Sequence, residues 1–220
     1  SDLHCPYAYL AAYRLRKVLP EFRGRVEVEH RCLSLEYTNE RPTPKDVLDN
    51  ETPLILLEEP GIPYAPWHRP AWEWPGTMWP AFEAVKCAER QSWELANDLD
   101  WLLREAFFAG SRCISLRHVI LDLAEHAGLD MKRFREDFDS GVTKRGVLED
   151  ARKGWDELDL PVSPTFILPD GSWRVNPAAP KVHLDEHRHH RVTKVDPAPA
   201  KGAAALDVYR DLLKATALGG

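Results

Sequence analysis

Cys5 stands directly before Pro6 in the stretch DLHCPYAYL, residues 2–10. Proline suits the first position of a helix, where its missing N–H would have no partner anyway. Residues 6–19 therefore read as a helix, with Cys5 at its N-cap or first turn. The unpaired N–H groups of a helix start favour negative charge, and they lower a thiol pKa from ~8.5 toward ~3.5–7.5. A thiolate held there is a nucleophile that attacks a disulfide sulfur and forms a mixed disulfide. His4, one residue earlier, would assist as a cation if protonated. The alternatives are an inert buried thiol for Cys5 and a solvated loop residue for His4.

One helical turn on, where a dithiol enzyme carries its second cysteine, this chain has Ala8. A mixed disulfide on Cys5 must then be resolved by an outside thiol or by a distant cysteine. The other three cysteines are Cys32, on an expected core strand, and Cys87 and Cys113, on expected helices. A buried free cysteine behaves as a small hydrophobe. The pattern points to a monothiol cycle with a small thiol such as glutathione or mycothiol as co-substrate, and to no tightly bound cofactor. The four cysteines form no CxxC, so free thiols and a reducing, cytoplasmic compartment are expected.

The elements that position these residues follow from periodicity. Ala8, Ala11, Leu15 and Val18 form the apolar stripe of the first helix, which stops at Pro20. RVEVEHRCL alternates over Val26, Val28, His30 and Cys32 as a strand. Residues 34–80 are a proline-rich connection with Trp67, Trp72, Trp74 and Trp79; a structural wrap and a ligand-lining lid are both open for it. From Pro80 to Leu158 the pattern is helical: one run ends at Gly110, one is capped by Ser115, one is closed by Gly141 and one is broken near Gly154. Thr165–Leu168 and Ser172–Val175 pair across Asp170-Gly171 as a hairpin. Residues 176–203 read as irregular, and a closing helix aligns Leu206, Tyr209, Leu212 and Leu213. The chain opens on Ser1 rather than methionine, and the strand that should precede the first helix is expected upstream of residue 1.

Composition limits the function. A net charge of −6 over 220 residues argues against a protein built to grip nucleic acid. No stretch reaches the ~20 apolar residues of a membrane span, so neither nucleic acid nor membrane is an expected partner. His183, His187, His189 and His190 in HLDEHRHH invite a metal reading. Pro180 and turn-rich flanks make the run a solvated loop with no cysteine near, and no metal site is expected.

Two motifs carry a resemblance. HCPYAYL at a helix start resembles the active-site turn of DsbA-like thioredoxin-fold proteins, especially the cytoplasmic FrnE-like branch. VSPTFILPDG resembles the loop facing that turn, the helical block matches the family's helical insertion, and an NPAAP loop follows the hairpin. The resemblance implies an α/β, thioredoxin-like fold with an all-helical insertion domain. Residues 1–38 and 158–220 would form the thioredoxin-like domain, 39–79 a Pro/Trp-rich arm, and 80–157 the insertion. It makes Cys5 the attacking thiol, supported by His4, Pro6, Tyr7 and Ala8. It makes Pro164 a cis-proline and Ser163 the residue whose backbone pairs with a bound peptide or thiol-tripeptide.

Ala8 departs from that family's second cysteine. The related glutathione-using branch, kappa-class glutathione transferases and 2-hydroxychromene-2-carboxylate isomerases, typically has serine where Cys5 stands. The function implied is a DsbA-like thiol oxidoreductase acting through one nucleophilic cysteine on protein or small thiols. The alternatives are a glutathione-type transferase or isomerase and a non-catalytic binding module on a degenerate redox fold.

Overall fold

The computed structural model describes residues 1–185 and 187–217. The first half of the chain holds α1 (Pro6–Val18), α2 (Leu35–Asn39), α3 (Lys45–Glu51), α4 (Trp79–Glu89) and α5 (Trp93–Phe108). Helices α6 (Arg117–His126), α7 (Met131–Ser140) and α8 (Lys144–Arg152) follow. Strands β1 (Thr165–Ile167), β2 (Trp173–Val175), β3 (Lys181–Asp185) and β4 (Arg191–Asp196) precede the last helix, α9 (Gly202–Ala217). The chain divides into two compact units. One comprises Ser1–His4, Val28–Thr43 and Pro63–Leu160; the other comprises Cys5–Glu27, Pro44–Ile62 and Pro161–Gly220. The 39–79 stretch is thus shared between them.

The second unit carries Cys5. Pro6 starts α1, whose buried stripe of Ala8, Leu15 and Val18 packs against α9, where Ala205, Tyr209, Leu212 and Leu213 are buried. Burying a residue of the Leu or Val class contributes about 1.5–3 kcal/mol. Strands β1 and β2 are antiparallel, with Thr165 opposite Val175 and Ile167 opposite Trp173. Gly171, at φ +81, supplies the left-handed turn position between them. The Phe166 ring meets Tyr209 edge-on at 6.0 Å, which fixes the hairpin to α9. Arg14 is fully buried: its Nε donates to Glu59 at 2.9 Å and its Nη1 to the Ala178 carbonyl at 2.6 Å. This ties the NPAAP loop to α1.

In the first unit α4 packs against α5, α6, α7 and α8, burying Phe82, Val85, Leu99, Leu103, Ile120 and Phe134. Ser92 caps α5 by accepting from Leu95 N–H, and Asp130 caps α7 by accepting from Lys132 and Arg133. Gly141, at φ 68, closes α7. Among the described residues no helix is long and apolar enough to cross a membrane.

Several elements differ from the sequence expectation. The 80–110 run is two helices, because Ser92 starts a new one. Ser115 does not cap α6, whose N-cap is Leu116. Cys113 lies in the α5–α6 loop and not on a helix. The 34–80 connection contains α2, α3 and two 3-10 turns, Thr52–Leu57 and Ala71–Glu73. Residues 176–203 are not irregular throughout, because β3 and β4 form an antiparallel hairpin with a register shift after His183.

The alternating 26–32 segment joins no sheet among the described residues, whose strands form two two-stranded sheets. Alternation supplies a face, but a strand also needs a neighbour to bond. The nearest approach to pairing is at Cys32. There the Ser1 ammonium donates to the Arg31 carbonyl at 2.9 Å, and Leu33 N–H donates to the Ser1 carbonyl at 3.2 Å. Two bonds flanking one residue are the pattern of parallel strands.

Candidate active site

Cys5 is the N-cap of α1, in an extended conformation, and its carbonyl accepts the first helical bond from Tyr9 N–H at 3.0 Å. Pro6 occupies the first helical position and Ala8 is buried in the next turn. The Cys5 side chain makes no capping bond to the amides of α1. Its Sγ–H donates to the Ser163 carbonyl across 3.2 Å. Cys5 is 6% exposed.

Ser163 and Pro164 are both buried and joined by a cis peptide bond. The Pro164 carbonyl accepts from Asn176 N–H at 3.2 Å, and Thr165 Oγ1 donates to the Val162 carbonyl at 2.6 Å. The loop that faces the thiol is thus fixed on both sides by hydrogen bonds to its carbonyls. Residues Cys5, Pro6, Tyr7, Ala8, Ser163 and Pro164 all belong to one unit.

His4 does not take the expected role. It is 1% exposed, and its ring lies among Phe107 (4.4 Å between centroids) and Trp74 (5.6 Å). Burial lowers its pKa to about 3, so the imidazole is neutral across the physiological range and is not a cation. It is no solvated loop residue either. Neither of its ring nitrogens has a hydrogen-bond partner among the described residues. Its backbone N–H donates to Asp2 Oδ1 at 2.6 Å.

The other thiols are poorly suited to resolve a bond on Cys5. Cys32 is buried and its pKa is pushed well up by burial. Cys87 is pushed up to about 11, mainly by burial, and its sulfur lies 3.5 Å from Thr143 Oγ1. Cys113 is half-buried, 3.5 Å from Ser115 Oγ. None of the four cysteines forms a disulfide among the described residues, and the three others belong to the unit that lacks Cys5.

One further group of this unit had no sequence signal. Glu51 ends α3, and burial raises its pKa to about 7. The Tyr7 phenol is pushed far up by burial, by Glu51 and by Cys5, so it remains a hydroxyl donor. Its oxygen is buried without a partner among the described residues. The histidine run lies on the β3–β4 hairpin: His183 bonds Asp196 at 2.8 Å and His190 bonds Asp46 at 2.9 Å. No group of three or more metal-ligating side chains is present among the described residues.

A thiol at a helix N-cap, faced by the residue before a cis-proline whose strand enters a hairpin packed on a C-terminal helix, defines a thioredoxin-like fold. The family model for thioredoxin matches residues 70–182, just over half of the chain, and the protein belongs to that family. Among solved structures it is similar to the cytosolic disulfide reductase DsbM from Pseudomonas aeruginosa, at 22% identity and a TM-score of 0.63, over 100% of this chain and 97% of that one. The same reductase with GSH matches at 21% identity and a TM-score of 0.62, over 98% and 95%. A protein from Nitrosomonas europaea matches at 15% identity and a TM-score of 0.58, over 97% and 93%.

Proposed function

We propose that this protein is a cytoplasmic thiol–disulfide oxidoreductase that works through the single thiol of Cys5. The observation that carries the reading is the 3.2 Å approach of Cys5 Sγ to the carbonyl of Ser163, ahead of Pro164. The Cys5 thiol loses its proton and attacks a disulfide, breaking the S–S bond. One half stays as a mixed disulfide on Cys5, and the other leaves as a thiolate that takes up a proton. A small external thiol then attacks the mixed disulfide as its thiolate, forms a new external disulfide and returns Cys5 to its reduced state. One external thiol enters per turnover: its sulfur ends in the new disulfide with the half that Cys5 carried, and the other half of the substrate leaves as a free thiol. With Ala8 in place of a second cysteine, glutathione or mycothiol serves as the resolving thiol. The likeness in fold to a reductase with GSH supports a thiol of that kind.

The test is reduction of a glutathione-mixed disulfide substrate by excess glutathione. Turnover that Cys5→Ser abolishes is expected, and turnover that persists in Cys5→Ser overturns the reading. A second reading, a groove that binds thiols without turnover, is favoured by one observation, the 6% exposure of Cys5. Alkylation separates the two. Rapid iodoacetamide labelling of Cys5 near pH 7 fits the oxidoreductase; labelling that begins only above about pH 8 fits the binding groove.

A further inference from the structure

Two side chains from different helices hold successive carbonyls of the 176–178 loop. The Tyr209 hydroxyl of α9 donates to the Pro177 carbonyl at 3.2 Å, and Arg14 Nη1 of α1 donates to the Ala178 carbonyl at 2.6 Å. Arg14 is itself fixed by Glu59, whose Oε1 accepts from its Nε at 2.9 Å. All three side chains are buried, and all belong to the unit that carries Cys5. The loop they grip is strained: Asn176 sits at φ 39, and Ala178, which is buried, at φ 55. Alanine is disfavoured there because its Cβ crowds a carbonyl oxygen, and such residues persist where the surroundings over-determine them, above all at functional sites. The same loop leads to the thiol. Asn176 N–H donates to the Pro164 carbonyl at 3.2 Å, Pro164 follows Ser163 directly, and the Ser163 carbonyl accepts from Cys5 Sγ–H at 3.2 Å.

Resting on the oxidoreductase reading, we propose that Arg14 and Tyr209 are positioning residues of the active site: gripping the 176–178 loop, they hold the Ser163 carbonyl against the Cys5 sulfur. They act through the loop backbone and not on the sulfur itself. A carbonyl oxygen turned toward a thiol favours the neutral form over the thiolate. The clamp therefore sets how readily Cys5 ionises, and loosening it lets the sulfur ionise at lower pH.

The test is iodoacetamide labelling of Cys5 against pH, read by mass spectrometry of its peptide, at a temperature where circular dichroism shows each variant folded. Tyr209→Phe loses only the hydroxyl and keeps the ring against Phe166; Arg14→Met loses the guanidinium. Both are expected to move the labelling midpoint down by about half a pH unit or more. Glu59→Gln weakens the same buried pair but leaves an oxygen for Arg14 Nε and the grip on Ala178, and its midpoint is expected to stay with the parent's. If Arg14→Met does not fold, Tyr209→Phe and Glu59→Gln decide. An unmoved or raised midpoint in a folded Tyr209→Phe or Arg14→Met protein, or an equal fall in Glu59→Gln, overturns the inference and shows the loop to be held for stability alone. Either result leaves the oxidoreductase reading to its own test, since labelling needs no turnover and the Cys5→Ser turnover assay needs none of these variants.

Discussion

Cys5 and Ser163, 158 positions apart in the sequence, are joined by one bond from a thiol hydrogen to a carbonyl oxygen. The bond gives the resting site its geometry and also says which substitution separates fold from chemistry. Serine keeps a donor at position 5. Cys5→Ser is expected to unfold within about 1 kcal/mol of the parent, since the hydrogen bond is conserved in kind, while forming no mixed disulfide. A thermal melt and an adduct assay on the same sample check both halves. A Cys5→Ser protein that melts far lower would show that sulfur packing, and not the bond, holds the turn.

Glu51 sets a pH dependence of stability. Its folded pKa, about 7, lies above its ordinary value of 4.5, so the folded chain binds that proton more tightly than the unfolded chain. Stability tied to this group is full below about pH 4.5 and is lost as pH rises through about 7. His190 lowers it, and its own charge acts on Tyr7. Glu51→Gln removes the loss. It is expected to be more stable than the parent at pH 8 by up to roughly 3 kcal/mol, and equal to it near pH 4. Denaturant titrations at the two pH values measure this; equal stability at pH 8 contradicts it.

His4 acts in the opposite direction. Its pKa falls to about 3 in the folded chain from an ordinary 6.5, so the unfolded chain binds the extra proton and stability drops as pH falls from 6.5 toward 3. His4→Phe keeps an aromatic ring beside Phe107 and cannot protonate. Going from pH 7 to pH 5, the variant is expected to lose roughly 2 kcal/mol less than the parent. Identical losses would mean that the ring is not held neutral.

These residues also show what could be read from the sequence and what could not. Pro6 after Cys5 marked the start of α1, and Asp170-Gly171 marked the first hairpin, because proline and glycine state their backbone angles locally. The face of α9 was legible in Tyr209, Leu212 and Leu213 for the same local reason, periodicity. The segment around Val26–Cys32 was misread because alternation names a face but not a neighbour to bond. Strands β3 and β4 were missed because their turn uses His189 and His190 at positive φ, where a glycine or asparagine would have signalled it. Glu51 lies far from Cys5 along the chain, and only folding brings it into electrostatic range of Tyr7. His4 looked like a partner of Cys5 because it is adjacent in sequence. The ring packing that makes it neutral comes from Trp74 and Phe107, which no local pattern links to it.

Arg14 tests how firmly the second unit holds its loop. Its buried guanidinium bonds Glu59 and the Ala178 carbonyl, and Lys17 also reaches Glu59 at 3.1 Å. Arg14→Met leaves the carbonyl without its donor and Glu59 with a single, partly exposed cation. A loss of about 3 kcal/mol is expected, read as a lower denaturation midpoint at an unchanged slope. A variant as stable as the parent would show that burial of the stem, and not the charge, does the anchoring.

The most direct measurement is non-reducing peptide mapping of the protein after treatment with glutathione disulfide. A one-thiol cycle predicts a single glutathione on the peptide that carries Cys5, removed by further glutathione, with Cys32 and Cys87 unmodified. A disulfide between Cys5 and another cysteine of the same chain, or an unmodified Cys5, would contradict it.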